Sequence, residues 1–307
     1  MGRPMASNLL KAGYSLVVND LFPAAASKHL EAGAIWADTP KALADQCDVM
    51  FTCLPGLLQI EDVTLGSQGL FEGMRPGQAL FEMSTSTPEQ VSRLHQTLAA
   101  IEVHMLDAPI SGGPNGAMHA RLAIWVGGDL AVYQRYESIL RVMGDKTVHV
   151  GAIGAGLVTK LVHNCASQAT QAAIAEAFVL GVKAGADPLS LWKALRHGGI
   201  GGRRTFDGLS DQFLLGQYDT PQAALSIVYK DVKSATELAR ELRIPMRIAN
   251  LAFADLQEAM NRGWSERDCR SVMLLPQERA GVEIRVEQAA IDQVLKDDPR
   301  ASSDVNR

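Results

Sequence analysis

The chain has 307 residues, 47% hydrophobic and 21% charged, with a formal net charge of −5. That length suits two domains of about 150 residues each, and the mild acidity gives no footprint for a nucleic-acid or anionic-membrane partner. Four scattered cysteines (Cys47, Cys53, Cys165 and Cys269) and seven scattered histidines follow no metal-ligand spacing, so no metal is expected and the thiols read as reduced groups of a cytoplasmic protein.

In chain order, short apolar runs at 15–19, 49–54, 79–83, 103–106 and 122–126 read as strands. Between them, 4–11, 23–32, 88–101 and 130–141 read as helices, with Pro4, Pro23 and Pro88 in first turns, where a missing N–H costs little. Repeated strand–helix–strand units imply an α/β domain built on a mostly parallel, doubly wound sheet. From about Gly151 the pattern turns to alanine-rich helix: 157–184, a restart at Asp187-Pro188, then 222–242, 246–262 and 266–279. The reading is a nucleotide-binding domain over 1–151, an all-helical substrate and dimerisation domain over 152–296, and a polar, disordered tail over 297–307. The most apolar long stretch, 165–185, is broken by Gln168, Gln171, Glu176 and Lys183, which suits a buried helix better than a membrane span. The first residues lack the regions of a signal peptide.

A dinucleotide-binding fold opens on an apolar strand, then GxGxxG, then a helix. Met1-Gly2-Arg3-Pro4-Met5-Ala6 reads as the end of that motif, with Gly2 its last glycine, so the first strand and two glycines are missing from this sequence. Two explanations stay open: a start assigned to an internal methionine, or a shortened chain that holds its cofactor weakly. Asp20 closes the next strand at about the spacing where a carboxylate accepts from the adenosine ribose, favouring NAD over NADP. A surface carboxylate at a strand end is the plainer alternative.

Three further segments carry chemistry. Asp107-Ala108-Pro109-Ile110-Ser111-Gly112-Gly113 follows a strand, and its glycines can turn backbone amides toward an anion such as a carboxylate. A tight turn explains it equally well. In Gly154-Ala155-Gly156-Leu157-Val158-Thr159-Lys160-Leu161-Val162-His163-Asn164, Lys160 and Asn164 are four apart and share a helix face, about 6 Å apart along the axis. A solvated helix lysine is the competing reading. Tyr229-Lys230-Asp231 lies in mid-helix, where a surface charge pair is the ordinary explanation.

DAPISGG, GxGxxxKxxxN and KD, in this order, resemble the β-hydroxyacid dehydrogenase family, over nearly the whole chain from Gly2 to about Arg285. The resemblance implies a Rossmann domain, a long interdomain helix and a helical domain that supports a homodimer or homotetramer. It implies Lys160 as catalytic lysine, Asn164 as substrate-orienting asparagine, and Ser111, Gly112 and Gly113 as the substrate-carboxylate loop. Leu54, Pro55 and Thr85 match cofactor-contacting positions, and Lys230 matches the lysine near the nicotinamide. His163, Glu82, Gln59, His119 and Arg121 depart from the family pattern, which bears on substrate identity more than on reaction type.

The implied reaction is reversible hydride transfer between a short β-hydroxy acid and NAD, NADP being the second choice. His163 is the rival acid/base, with a suitable intrinsic pKa. An imine reductase shares the architecture but typically lacks a lysine at the position of Lys160. A 6-phosphogluconate dehydrogenase needs a much larger helical domain than this chain length allows, although Arg203-Arg204 is available to an anion. A non-catalytic or weakly cofactor-binding Rossmann protein is the alternative from another class. Substrate-contacting side chains of the helical domain are expected around 198–206.

Overall fold

The structure is a computed structural model that describes residues 1–183, 185–197, 208–241 and 246–296. The stretch 198–206, the pair Arg203-Arg204 and the tail 297–307 lie outside the described residues. By backbone contacts the chain divides into two compact units, Met1–Val162 and His163–Arg307.

In the first unit, β3 (Val49–Thr52), β4 (Ala79–Glu82) and β5 (His104–Asp107) form a parallel ladder in which Thr52 pairs Glu82, and Glu82 pairs Asp107. Ala79, Leu80 and Phe81 of β4 are wholly buried, as expected of a strand covered on both faces. Beyond β5 the sheet continues through β7 (Ala123–Gly127), antiparallel to both β5 and β6 (Ile110–Ser111), and β8 (Lys146–Gly151), parallel to β7. Separately, β1 (Val17–Val18) pairs in parallel with β2 (Ile35–Trp36). In the doubly wound order 3-2-1-4-5-6, a central strand lies between the strands that β1 and β3 represent. Among the described residues no ladder joins β1 to β3, and the sheet is in two pieces at that place.

Local signals explain the helices. Thr87 accepts from the Gln90 amide at 3.3 Å ahead of α5 (Pro88–Ala99), and Pro88 takes its first position. Asp129 caps α7 (Leu130–Met143) through the amides of Ala131 and Val132, at 2.7 and 3.1 Å. α1 (Gly2–Lys11) buries Met5 and Leu9 in the core of this unit, with Phe81, Leu106, Ile124 and Leu140. The sequence reading passed over β2 and β6, each two residues long and too short for a period to register, and β8, whose run opens on a charged residue. It also passed over α3 (Pro40–Ala44), α4 (Leu57–Leu65) and α6 (Gly113–Met118).

The second unit is helical. α8 (Ala155–Lys183) begins in the first unit and continues through the second, followed by α9 (Pro188–His197), where Asp187 accepts from the Ser190 amide at 2.9 Å. α10 (Leu225–Glu241) and α11 (Arg247–Asn261) come next. The single helix expected over 266–279 is instead a 3₁₀ turn, Cys269–Met273, running into α12 (Leu274–Ala280). Pro276 lacks the N–H that an unbroken α-helix would donate at that point. α13 (Gln288–Lys296) closes the described chain. The core here comprises Phe178, Trp192, Phe213, Leu214, Leu256 and Ile291, with Phe178 and Phe213 edge-to-face at 5.8 Å.

Candidate active site

The loops leaving the carboxyl ends of β3, β4 and β5 contain Leu54–Pro55, Ser84–Ser86 and Ala108–Pro109. Those ends are where an open parallel sheet binds its ligands. Two bonds, the first of them buried, tie the first two loops together. Thr52 Oγ1 donates to Glu82 Oε2 at 2.6 Å, and the Leu54 amide donates to Ser84 Oγ at 2.7 Å. Glu82 Oε1 also accepts from the Ser84 amide at 2.6 Å. Burial pushes the Glu82 carboxyl above the usual carboxylate range, against the lowering effect of its bonds from Ser84 and Thr52. Thr85 is buried, whereas Pro55 is exposed.

Gly2 opens α1 beside the end of β3, and a Cβ there would lie 3.9 Å from Cys53 Cβ. Burial pushes the Cys53 thiol up, so it stays protonated at neutral pH. Beyond β1, the exposed Asp20 accepts from the Phe22 amide at 2.9 Å through Oδ1. This residue set fits a dinucleotide. The start of a ten-residue helix offers amides to a pyrophosphate, Asp20 offers a carboxylate to a ribose, and two tied loops offer backbone to the nicotinamide side.

Lys160 lies on the second turn of α8, half-buried, and its Nζ donates to the Ile110 carbonyl at 3.0 Å. Ile110 immediately precedes Ser111, Gly112 and Gly113, so the lysine sits against the loop that the sequence marks for an anion. Gly112 and Gly113 adopt φ of +125° and +63°, values that only glycine takes without strain. A Cβ on Gly112 would also come within 3.3 Å of Leu122 Cδ2. Both glycines are exposed, and Gly113 begins α6 rather than extending a loop. The structure thus brings Lys160 and Ser111–Gly113 together within the first unit.

In the second unit, Asn164 lies one turn beyond Lys160 on α8. Its Nδ2 donates to Asp231 Oδ2 at 2.6 Å, while His163 Nδ1 lies 3.0 Å from Asn164 Oδ1. Asp231 is 3% exposed, and Lys230 Nζ stands 3.7 Å from its Oδ1. Asn164, Asp231 and Lys230 therefore form one polar group on α8 and α10. His163 itself is exposed.

Asp231 and Asp107 carry more of the geometry than the sequence reading assigned them. Asp231 was visible as half of the KD pair, and Asp107 as the first residue of DAPISGG. Their partners are distant in sequence, which local spacing does not reveal. Among the described residues no group of three or more His, Cys, Asp or Glu is arranged to hold a metal ion, and no helix is long and apolar enough to cross a membrane.

Comparison with known proteins adds the following. The family model described as the NAD-binding domain of 6-phosphogluconate dehydrogenase matches residues 1–151. The model described as NAD-binding of NADP-dependent 3-hydroxyisobutyrate dehydrogenase matches residues 154–275. A 2-(hydroxymethyl)glutarate dehydrogenase from Eubacterium barkeri is 30% identical over 92% of this chain and 94% of its own length. An NAD-dependent L-serine dehydrogenase from Pseudomonas aeruginosa is 30% identical over 90% of this chain and 94% of its own. The structure of a 3-hydroxyisobutyrate dehydrogenase from Mycobacterium tuberculosis with L-serine superimposes with a TM-score of 0.78 at 27% identity, covering 90% of this chain and 95% of that one.

Proposed function

The chain belongs to the β-hydroxyacid dehydrogenase family, and we propose that Lys160 is the acid/base of its reaction, reversible oxidation of a short β-hydroxy acid. It is an NAD(P)-dependent oxidoreductase of the 3-hydroxyisobutyrate dehydrogenase type. The observation that carries the role of Lys160 is its 3.0 Å bond to the Ile110 carbonyl, which holds the amino group beside Ser111–Gly113.

The bound nicotinamide supplies the hydride acceptor or donor, and the protein supplies orientation and proton handling. Ser111, Gly112 and Gly113 hold the substrate carboxylate, so the hydroxyl end faces Lys160. As the neutral amine, Lys160 Nζ takes the hydroxyl proton in oxidation and becomes the ammonium; as the ammonium it returns that proton in reduction. Asn164 orients the hydroxyl, its own amide fixed by Asp231. Gly2, Leu54, Pro55, Thr85 and Lys230 contact the cofactor, residues 1–151 forming the cofactor-binding domain and residues 152–296 the substrate and dimerisation domain. Asp20 favours NAD, because its carboxylate repels the extra phosphate of NADP. Exposed Ile227, Ile248 and Leu251 on α10 and α11 support a homodimer or homotetramer, and four unpaired cysteines suit the cytoplasm.

The test is a panel of L-serine, 3-hydroxyisobutyrate and 2-(hydroxymethyl)glutarate with NAD and with NADP, following reduced cofactor by absorbance. Turnover of at least one hydroxy acid with a preference for NAD supports the reading, provided that K160A loses it. Equal turnover by K160A overturns the role of Lys160.

A further inference from the structure

Asp107 ends β5 and is 1% exposed, yet both its carboxylate oxygens are committed. Oδ1 accepts from the Gly154 amide and Oδ2 from the Leu157 amide, each at 2.6 Å. These amides belong to the entry and first turn of α8, whose leading N–H groups have no partner within the helix. Leu157 lies one turn before Lys160 on the same face. From Asp107 the chain runs through Ala108 and Pro109 to Ile110, whose carbonyl receives Lys160 Nζ at 3.0 Å. The result is a closed circuit: strand end, clamp on the first helical turn, one turn of α8, lysine, and back to the loop that continues into Ser111–Gly113.

The packing leaves room for this clamp and little else. A Cβ at Gly127 would fall 2.4 Å from Asp107 Oδ1. A Cβ at Gly156 would fall 2.3 Å from the Trp125 carbonyl and 2.9 Å from Asp107 Oδ2. Two glycines thus let helix and sheet close onto the carboxylate. An aspartate has the reach and the two acceptors for this. An asparagine turns an NH2 against one of the amides, and a glutamate lengthens the arm by one methylene.

We propose that Asp107 is a positioning residue for the reaction, its bidentate hold on Gly154 and Leu157 fixing the rotation of α8 so that Lys160 Nζ stays against the Ile110–Gly113 loop. This rests on the reading of Lys160 as the acid/base. An unclamped α8 end would still fold against the sheet, with the lysine displaced by a fraction of its side-chain length. Misplacement on the order of 1 Å costs about 100-fold in rate, so the loss falls on the chemical step rather than on cofactor capture.

The experiment compares the full chain with D107N, D107S and K160A, using a turned-over hydroxy acid in its normal form and deuterated at the carbinol carbon. NADH affinity is followed by fluorescence and unfolding by melting. The expected D107N protein binds NADH like the parent, loses roughly 10- to 100-fold in kcat with KM for the cofactor unchanged, and shows a larger deuterium isotope effect on kcat. A purely structural cap would lower the melting temperature without moving the isotope effect. Folded D107N with parental kcat and isotope effect overturns the proposal. Should D107N fail to fold, D107S, whose single short hydroxyl cannot bridge both amides and adds no bulk to the packed site, is read by the same criteria and decides in the same way. Near-normal turnover by K160A would instead sink the reading of Lys160, and the role of Asp107 with it. An inactive K160A beside a fully active D107N removes only the role of Asp107.

Discussion

Thr52 and Glu82 face each other across the paired ends of β3 and β4, joined by a 2.6 Å hydrogen bond with both side chains buried. That bond, with the one from Leu54 to Ser84, sets the spacing of the two loops that carry Leu54–Pro55 and Thr85. Glu82 Oε2 reaches back to Thr52 while Oε1 holds the Ser84 amide.

The first prediction follows from that pair. E82A leaves Thr52 Oγ1 and the Ser84 amide buried without a partner, a cost of about 1–3 kcal/mol for each such group. It should lower the unfolding free energy in urea by a few kcal/mol and weaken NADH binding. T52V removes one donor and replaces it with a methyl, so its loss should be clearly smaller. Equal NADH affinity in parent and E82A would mean that the two loops do not depend on this carboxyl.

A second prediction concerns pH. Burial pushes the Asp107 carboxyl up to about 6 from its ordinary 3.8, while amide bonds from Leu157, Gly154 and Gly156 pull it down. A carboxyl raised in the folded state holds its proton more tightly folded than unfolded. Its contribution to stability is therefore full below about pH 4 and is lost as pH rises toward 6. Two pKa units correspond to roughly 3 kcal/mol, an upper figure for this group. Urea unfolding at pH 4, 5, 6 and 7 should show the parent losing stability relative to D107N as pH rises. Parallel curves for the two proteins would contradict this.

Asn164 is expected to act through its orientation. D231A frees the Asn164 amide, which in the parent donates to Asp231 at 2.6 Å, and removes the carboxylate that stands 3.7 Å from Lys230 Nζ. Steady-state kinetics should show KM for the hydroxy acid raised by roughly tenfold in N164A and D231A alike, about 1.4 kcal/mol of lost binding. A D231A protein with unchanged KM and kcat would separate Asp231 from Asn164.

Cofactor choice should follow Asp20. On the proposed reading D20S removes the carboxylate that would meet a 2′-phosphate, so the ratio of kcat/KM for NADP to that for NAD should rise at least several-fold. An unchanged ratio would place the discrimination elsewhere.

Several of these features were legible in the sequence because their signals are local. β4 announces itself by the apolar run Ala79–Phe81, α5 by Thr87 followed by Pro88, and Lys160–Asn164 by one helical turn. The two-residue strands β2 and β6 have no period to read. The two halves of Asp107's clamp lie 47 and 50 residues away, and Asp231 meets Asn164 across 67. Such pairings depend on which helix end packs on which strand, information that no motif spacing holds. The helix expected over 266–279 failed for a local reason that was available, since Pro276 forbids a continuous backbone ladder there.

The most direct test is K160A assayed beside the parent with a hydroxy acid that the parent oxidises. The account predicts that kcat falls by about 100- to 10,000-fold, the range for removal of a general acid/base, while NADH binding stays intact. A K160A enzyme that turns over within a few-fold of the parent, or an H163A enzyme that suffers the larger loss, would contradict the assignment of Lys160.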